Sequence, residues 1–246
     1  MRTTKIEWTE RTWNPVTGCK KVSEGCRHCY AEMMSRRLFA MGNPKYSNNF
    51  IPTEHPEDLL EPYNWRKPSI VFVCSMSDLF NEKISFNFID KVFDVIKDTP
   101  QHTYQILTKR AKRMAEYFED RIIPPNTWIG VTVEDKKAIG RINTIRHLDA
   151  KVKFLSCEPL LEDLGEMELY GINWIIVGGE SGVSARPMNE KWILNIREQA
   201  SQHNIPFFFK QWGTWGKDGI KRNKRANGKL LLGQVIQEYP LNINIK

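Results

Sequence analysis

The sequence predicts an α/β protein, a partial or full (β/α) barrel with about six or more parallel strands. Three observations predict it. Short apolar runs alternate with stretches whose apolar residues recur at helical spacing along most of the 246 residues. The strand-like runs are near-continuous rather than alternating, which implies burial on both faces and a parallel sheet covered by helices. Each run ends, on its C-terminal side, in polar or charged residues, and in such sheets the active site is built at that rim.

Taken in order, AEMMSRRLFAMG (31–42) has apolar residues at helical spacing. Asn43 to Lys67 is polar and proline-punctuated, an expected excursion with a short helix near Asp58 to Tyr63. Ile70 to Cys74 is a β-rich run ending in Ser75, Ser77 and Asp78. A helix is expected from Asn87 to Lys97, with Phe88, Val92, Val95 and Ile96 on one face. Thr103 to Leu107 reads as a strand ending in Thr108, Lys109 and Arg110, followed by a helix to about Phe118. Trp128 to Val133 reads as a strand with Thr132 and Glu134 at its end, then a helix from Lys136 to His147.

Val152 to Leu155 ends in Ser156, Cys157 and Glu158, with Pro159 as a stop. Asn173 to Val177 ends in Gly178, Gly179, Glu180 and Ser181. Glu190 to His203 is an expected helix capped by Asn189. Pro206 to Phe209 is the last expected strand of the sheet, ending in Lys210, Gln211 and Trp212. Residues 217–229, KDGIKRNKRANGK, form a basic, glycine-containing loop before a short strand in LLLGQVI. The expected organisation is one barrel domain over 1–216, with an N-terminal cysteine loop, and a basic tail over 217–246.

Hydrophobic residues at 41% and charged residues at 26% give an ordinary globular balance, with chain enough for a sizeable core. The net charge of +7 draws the protein toward polyanions such as nucleic acid. The N-terminal MRTTKIEWTE is too polar for a secretory signal, and no run approaches the ~20 apolar residues of a membrane span. A cytoplasmic protein without membrane partners is expected, and closely spaced cysteines there read as metal ligands rather than disulfides.

Cys19, Cys26 and Cys29 are spaced C-x6-C-x2-C on a loop leading into the first helix. Three thiolates without a clear fourth suit an iron–sulfur cluster with one iron open to a small ligand. A closed structural zinc site needs four ligands. His28 is the candidate fourth, although it is squeezed between Cys26 and Cys29. Unrelated buried thiols are the remaining reading.

A three-cysteine loop at the start of a parallel α/β barrel resembles the radical S-adenosylmethionine superfamily. The usual spacing there is C-x3-C-x2-C, so this chain has three extra residues in the first gap. TKIEWTERTWNPVTGC, GCRHCYAE, SMSDLF, LTKR, GVTVE, SCEPLL, IIVGGESG, ARPM and FFFKQWG are similar to a branch encoded by many phages and mobile elements, with no generally assigned substrate. The resemblance runs from about Thr4 to Gly216. It implies a [4Fe–4S] cluster on Cys19, Cys26 and Cys29, with S-adenosylmethionine on the fourth iron. It also implies an electron donor and a 5′-deoxyadenosyl radical that abstracts a hydrogen atom. Residues after the superfamily's second strand meet the methionine amino group, and Ser75, Ser77 and Asp78 occupy that place. The superfamily's Gly-Gly-Glu pattern belongs at that same strand, so its role does not pass to Gly178, Gly179 and Glu180.

Read from their chemistry, Gly178 and Gly179 let backbone approach a ligand, or form an ordinary tight turn. Glu180 could fix a hydroxyl or ammonium. Lys109, Arg110 and Lys210 could hold a carboxylate or phosphate, or be solvated loop charges, the reading favoured for Arg110. Glu134 and Glu158 could orient a ribose or act in proton transfer. Thr108, Thr132 and Gln211 complete the expected cofactor-binding rim. Cys74 and Cys157 read as buried, hydrophobe-like thiols, with hydrogen-atom donation as the sharper alternative. The function classes left open are a radical enzyme on a nucleic-acid base or nucleotide, one on a small metabolite or peptide, and a non-enzymatic zinc or cluster module that binds nucleic acid or protein.

Overall fold

The computed structural model describes residues 4–240. Seven strands, β1 (Arg11–Trp13), β2 (Ile70–Val73), β3 (Thr103–Thr108), β4 (Thr127–Thr132), β5 (Val152–Cys157), β6 (Trp174–Gly178) and β7 (Phe207–Gln211), lie side by side in chain order in one sheet. This is the parallel, partial (β/α)-barrel class that the apolar runs predict. The helices are α1 (Tyr30–Ala40), α2 (Phe86–Asp98), α3 (Ala111–Tyr117), α4 (Gly140–Arg146) and α5 (Glu190–Gln202), with a single turn at Lys224–Asn227. None of them is long and apolar enough to cross a membrane. The chain divides into two compact units. One comprises Met1–Val22, Cys29–Gly130 and Leu148–Lys151; the other comprises Ser23–His28, Val131–His147 and Val152–Lys246.

In the first unit, β1 pairs parallel with β2, Trp13 opposite Val73, and β2 pairs parallel with β3, Val73 opposite Ile106. Strand β1 goes unnoticed in sequence because RTW is three residues long and only Trp13 is fully buried. Its anchorage is polar at one end and aromatic at the other. Glu10 accepts from the Ile70 amide at 2.8 Å, and the Trp13 indole donates to the Asp58 carbonyl at 2.8 Å. Helix α2 starts at Ser85, whose hydroxyl accepts from the Phe88 amide. It buries Phe88, Ile89, Val92, Phe93, Val95 and Ile96, the apolar stripe expected of a helix covering a sheet.

Two expectations shift here. Helix α1 buries only Ser35, while Tyr30, Met33 and Phe39 stay exposed. The excursion over 43–67 holds short single turns at Pro44–Tyr46, Pro56–Asp58 and Glu61–Asn64 in place of one helix, and each turn carries a proline in its first two positions, where a missing N–H costs little. Its Thr53–Glu54 pairs antiparallel with Val16–Thr17, next to the cysteine loop.

In the second unit, β5 to β7 pair parallel and β6 is buried along its whole length. Helix α5 is capped by Asn189, which accepts from the Lys191 amide. The tail folds back as Leu230–Leu231 paired with Gln234–Val235. It then lies against β7, where the Phe209 amide donates to the Ile236 carbonyl at 2.8 Å and the Glu238 amide to the Phe207 carbonyl at 3.1 Å. The sheet edge at β7 is thereby covered in its own unit.

Ser85 does two things at once. It caps α2, and its amide and hydroxyl both donate to Glu54. Replacement of Ser85 by Ala is expected to cost about 1 kcal/mol, read as a lower urea midpoint at unchanged m-value.

Candidate active site

In the first unit, the chain leaving β2 turns sharply at Cys74, whose φ of 59° lies in the left-handed region that side chains rarely adopt. That turn brings Ser75 and Met76 onto Asn14, whose side-chain Oδ1 accepts from the Ser75 hydroxyl at 3.1 Å and the Met76 amide at 3.2 Å. Ser77 donates to the Gly18 carbonyl. Gly18 has φ +73°, and a Cβ there would run into the Ile51 carbonyl, so only glycine lets the chain pass. The next residue is Cys19.

Asp78 gathers the strand ends. Its Oδ1 accepts from Thr108 Oγ1 at 2.7 Å and the Phe80 amide at 3.0 Å. Its Oδ2 accepts from the Lys109 amide at 3.1 Å and Arg110 Nη1 at 3.0 Å. Arg110 is buried, contrary to the solvated charge its loop position suggests. Its Nε donates to Glu82 at 3.0 Å and its Nη2 to the Lys20 carbonyl at 2.8 Å. Two N–H groups also point at sulfur: Arg110 Nη1 lies 3.6 Å and Asn81 Nδ2 3.7 Å from Cys19 Sγ. Burial and then the Asp78 charge push the metal-free Cys19 thiol up to about 11, against the pull of Arg110. Cys29 is the N-cap residue of α1, and its carbonyl accepts from the Met33 amide.

The second unit holds Cys26, at the end of the single turn Glu24–Cys26. Ser23 donates to Glu134, and its hydroxyl lies 3.7 Å from Cys26 Sγ. Glu134 is completely buried just past β4, and Arg141 donates to it at 2.7 Å and to the Thr132 carbonyl at 2.7 Å. Past β5, Glu158 takes both carboxylate hydrogen bonds from Lys210 Nζ of β7, at 2.7 and 2.8 Å. Past β6, Glu180 accepts three hydrogen bonds from Arg186, one from its amide and two from its guanidinium. Burial opposes ionisation of Glu180, but the Arg186 bonds and charge outweigh it and hold the carboxyl below its ordinary value of 4.5. Gly179 packs so close to the Trp212 carbonyl that a Cβ would collide with it, and a Cβ on Gly178 would crowd Glu158. Gln211 donates to Ser181 at 3.3 Å.

Apart from the three loop cysteines, the predicted site residues stand at or just past strand ends. Cys19, Cys29, Ser75, Ser77, Asp78, Thr108 and Lys109 belong to the first unit, and Cys26, Thr132, Glu134, Glu158, Gly178, Gly179, Glu180, Lys210 and Gln211 to the second. Sequence reasoning missed Asn14, Ser23, Asn81, Arg141 and Arg186. Asn14 and Arg186 do lie inside WNPVTG and ARPM, whereas nothing in the sequence around Arg141 marks it.

No disulfide is formed among the described residues. Cys19, Cys26 and Cys29 are half-buried, whereas Cys74 and Cys157 are fully enclosed. Burial, then Glu134, pushes the Cys157 thiol up to about 12; burial, then Asp78, raises Cys74 as well. A reachable sulfur that already meets two N–H donors suits a thiolate ligand of an iron–sulfur cluster, and an enclosed thiol does not.

A family model described as "Protein of unknown function (DUF5131)" matches residues 3–240. No curated protein matches the chain in sequence. Among solved structures, a cysteine-to-alanine mutant of spore photoproduct lyase with dinucleoside spore photoproduct is 12% identical with a TM-score of 0.41, over 82% of this chain and 65% of that one. A cysteine-to-serine mutant is 12% identical with a TM-score of 0.39, over 73% and 60%. The lyase complexed with dinucleoside spore photoproduct is 11% identical with a TM-score of 0.41, over 82% and 65%. The chain thus spans less than two thirds of the length of these structures.

Two predictions arise from the carboxylates. Asp78→Ala leaves Arg110 without its buried partner, with only the exposed Glu82 carboxylate to pair it, and is expected to cost about 3 kcal/mol, with Asp78→Asn costing less, both read by chemical denaturation. The Glu180 carboxyl is depressed in the folded chain, so its contribution to stability is full above 4.5 and lost as pH falls below it. Glu180→Gln is expected to flatten the acid limb of a urea-midpoint profile between pH 6 and 3; a limb as steep as that of the unaltered protein counts against this pairing.

Proposed function

We propose that this chain, which belongs to the DUF5131 family, is a radical S-adenosylmethionine enzyme that modifies a nucleic-acid base or nucleotide. One observation carries the reading: Cys19, the first cysteine of the C-x6-C-x2-C loop, meets N–H donors from Asn81 and Arg110, in the segments that follow β2 and β3. That is where a (β/α) sheet builds its active site. Cys19, Cys26 and Cys29 are the proposed ligands of a [4Fe–4S] cluster, with S-adenosylmethionine on the remaining iron. Bound there, the pair would supply reductive cleavage of the sulfonium and hydrogen-atom abstraction by the 5′-deoxyadenosyl group, given an external electron donor. Kinship with the phage-associated branch belongs to the same proposal.

The chain's own residues supply position. Ser75, Ser77, Thr108 and Lys109 are proposed for the cofactor in the first unit, with Thr132, Gly178, Gly179, Glu158, Lys210 and Gln211 in the second. Asp78, Glu134 and Glu180 start from a different footing than their sequence positions suggest. Asp78 already accepts four hydrogen bonds, and Glu134 and Glu180 are engaged by Ser23, Arg141 and Arg186. Fewer of their lone pairs are left for a ligand, so they suit holding the site's geometry. The substrate class rests on charge: the chain carries +7 overall, and residues 217–229 hold six Lys and Arg. Cationic surface of this kind binds phosphate backbones in a salt-dependent way.

Anaerobic reconstitution with iron and sulfide, then reduction with S-adenosylmethionine present, is expected to yield 5′-deoxyadenosine. Cys19→Ala, Cys26→Ala and Cys29→Ala should each abolish it, while Cys74→Ala should retain it. Full product from all three variants would overturn the cluster assignment. Zinc instead of iron in the purified protein would favour the non-enzymatic module. Oligonucleotide binding that weakens with salt supports the substrate class, and no binding at low salt points to a small metabolite or peptide.

A further inference from the structure

Residues 23–28, the middle of the cysteine loop, have no hydrophobic anchor. Their only regular structure is the three-residue turn Glu24–Cys26, and none of that turn is buried. Yet the segment is gripped from two strand ends. From beyond β4, Glu134 accepts from the Ser23 hydroxyl, and its other oxygen is held by Arg141. Gly25 sits so close to Glu134 that a Cβ would lie 2.9 Å from its Cγ, so the turn is seated on that side chain. From beyond β6, Arg186 donates to the Glu24 carbonyl at 3.1 Å and faces the Glu24 carboxylate at 3.7 Å, while Glu180 fixes its guanidinium. The turn then closes on itself, the Cys26 amide donating to the Ser23 carbonyl at 3.0 Å.

We infer that Glu134 and Arg186 form a clamp on Ser23, Glu24 and Gly25, and that this clamp sets the conformation in which Cys26 is presented. All three clamped residues lie in the six-residue gap between Cys19 and Cys26, so the width of that gap is what reaches the two strand ends. Glu134 and Arg186 are positioning residues, each acting on Cys26 through the turn. The link to metal binding rests on the cluster reading above; the clamp itself rests on the contacts alone. A loop held by polar contacts and a glycine contact opens locally when a bond is removed, without loss of the sheet beneath it.

Hydrogen exchange on the metal-free full chain reads the clamp directly. Ser23→Ala and Arg186→Ala are expected to raise exchange over 24–28 several-fold while β6 stays protected, and Ser23→Thr, which keeps the hydroxyl, should restore protection. If Arg186→Ala also loosens β6, Ser23→Ala decides. After anaerobic loading with iron and sulfide, Ser23→Ala should lose its visible absorbance in air several-fold faster than the unaltered protein, again rescued by Ser23→Thr. Unchanged exchange over 24–28 in both Ser23→Ala and Arg186→Ala overturns the clamp. If the unaltered protein takes up no iron while Ser23→Ala still opens the turn, the clamp stands and the cluster reading falls.

Discussion

A single carboxylate with almost no contact with water fixes the end of the first unit's sheet. Asp78 reaches from beyond β2 to the tip of β3, and each of its oxygens takes two hydrogen bonds. Two of these donors are backbone amides and one is a guanidinium, so the negative charge is met by both dipoles and a full charge. The desolvation cost of burying Asp78 and Arg110 is offset only while both remain. Cys19, Lys20, Asn81 and Glu82 all hang on this pair, directly or through Arg110. The position of the first cysteine is therefore a consequence of how two adjacent parallel strands end.

The second unit repeats the same solution with different residues. Glu134, Glu158 and Glu180 follow three successive strands, and each has a cation: Arg141, Lys210 and Arg186. A parallel sheet ends in a row of loops, and carboxylates placed there sit partly in protein, where an unpaired charge is costly. Pairing removes that cost and joins neighbouring loops. Lys210 connects the ends of β7 and β5 across β6, which requires the small Gly178 between them, since a Cβ there would crowd Glu158. Gly179 serves a related need, the close approach of the Trp212 carbonyl. Both glycines thus meet a packing need within their own unit, whatever else they do.

Much of this was legible in sequence, and what was not has a physical reason. Continuous apolar runs such as WIIV announce strands buried on both faces, and that strand stands where the run does; the run from Val152 to Leu155 also forms a strand, which continues through Ser156 and Cys157. The strand RTW escapes notice because its hold on the sheet comes from Glu10 and Thr9 on the Ile70 backbone, contacts about sixty residues away in the chain. Polar residues do follow the strands, but sequence cannot tell a charge awaiting a ligand from one already paired. Arg110 shows this, its charge absorbed by Asp78 and Glu82. Arg186 shows it again, lying six residues past Glu180 in a stretch with no strand or helix pattern. Helix α1 has helical spacing, but its apolar stripe of Ala31, Met34 and Leu38 is only half-buried, so periodicity gives its existence but not the depth of its packing.

The five thiols separate by environment. Cys74 and Cys157 are enclosed at strand ends, beside Asp78 and Glu134 respectively, where both desolvation and a neighbouring anion disfavour a thiolate. Cys19 shares the same Asp78, but there the guanidinium of Arg110 and the amide of Asn81 act in the opposite direction. Without a metal, burial still wins and the sulfur keeps its proton. A cation bound to that sulfur would reverse the balance, because the donors needed to stabilise a thiolate are already aimed at it. What sets Cys19 apart from Cys74 and Cys157 is that N–H groups are brought to face its sulfur, and Asp78 is the residue that brings the stronger of the two.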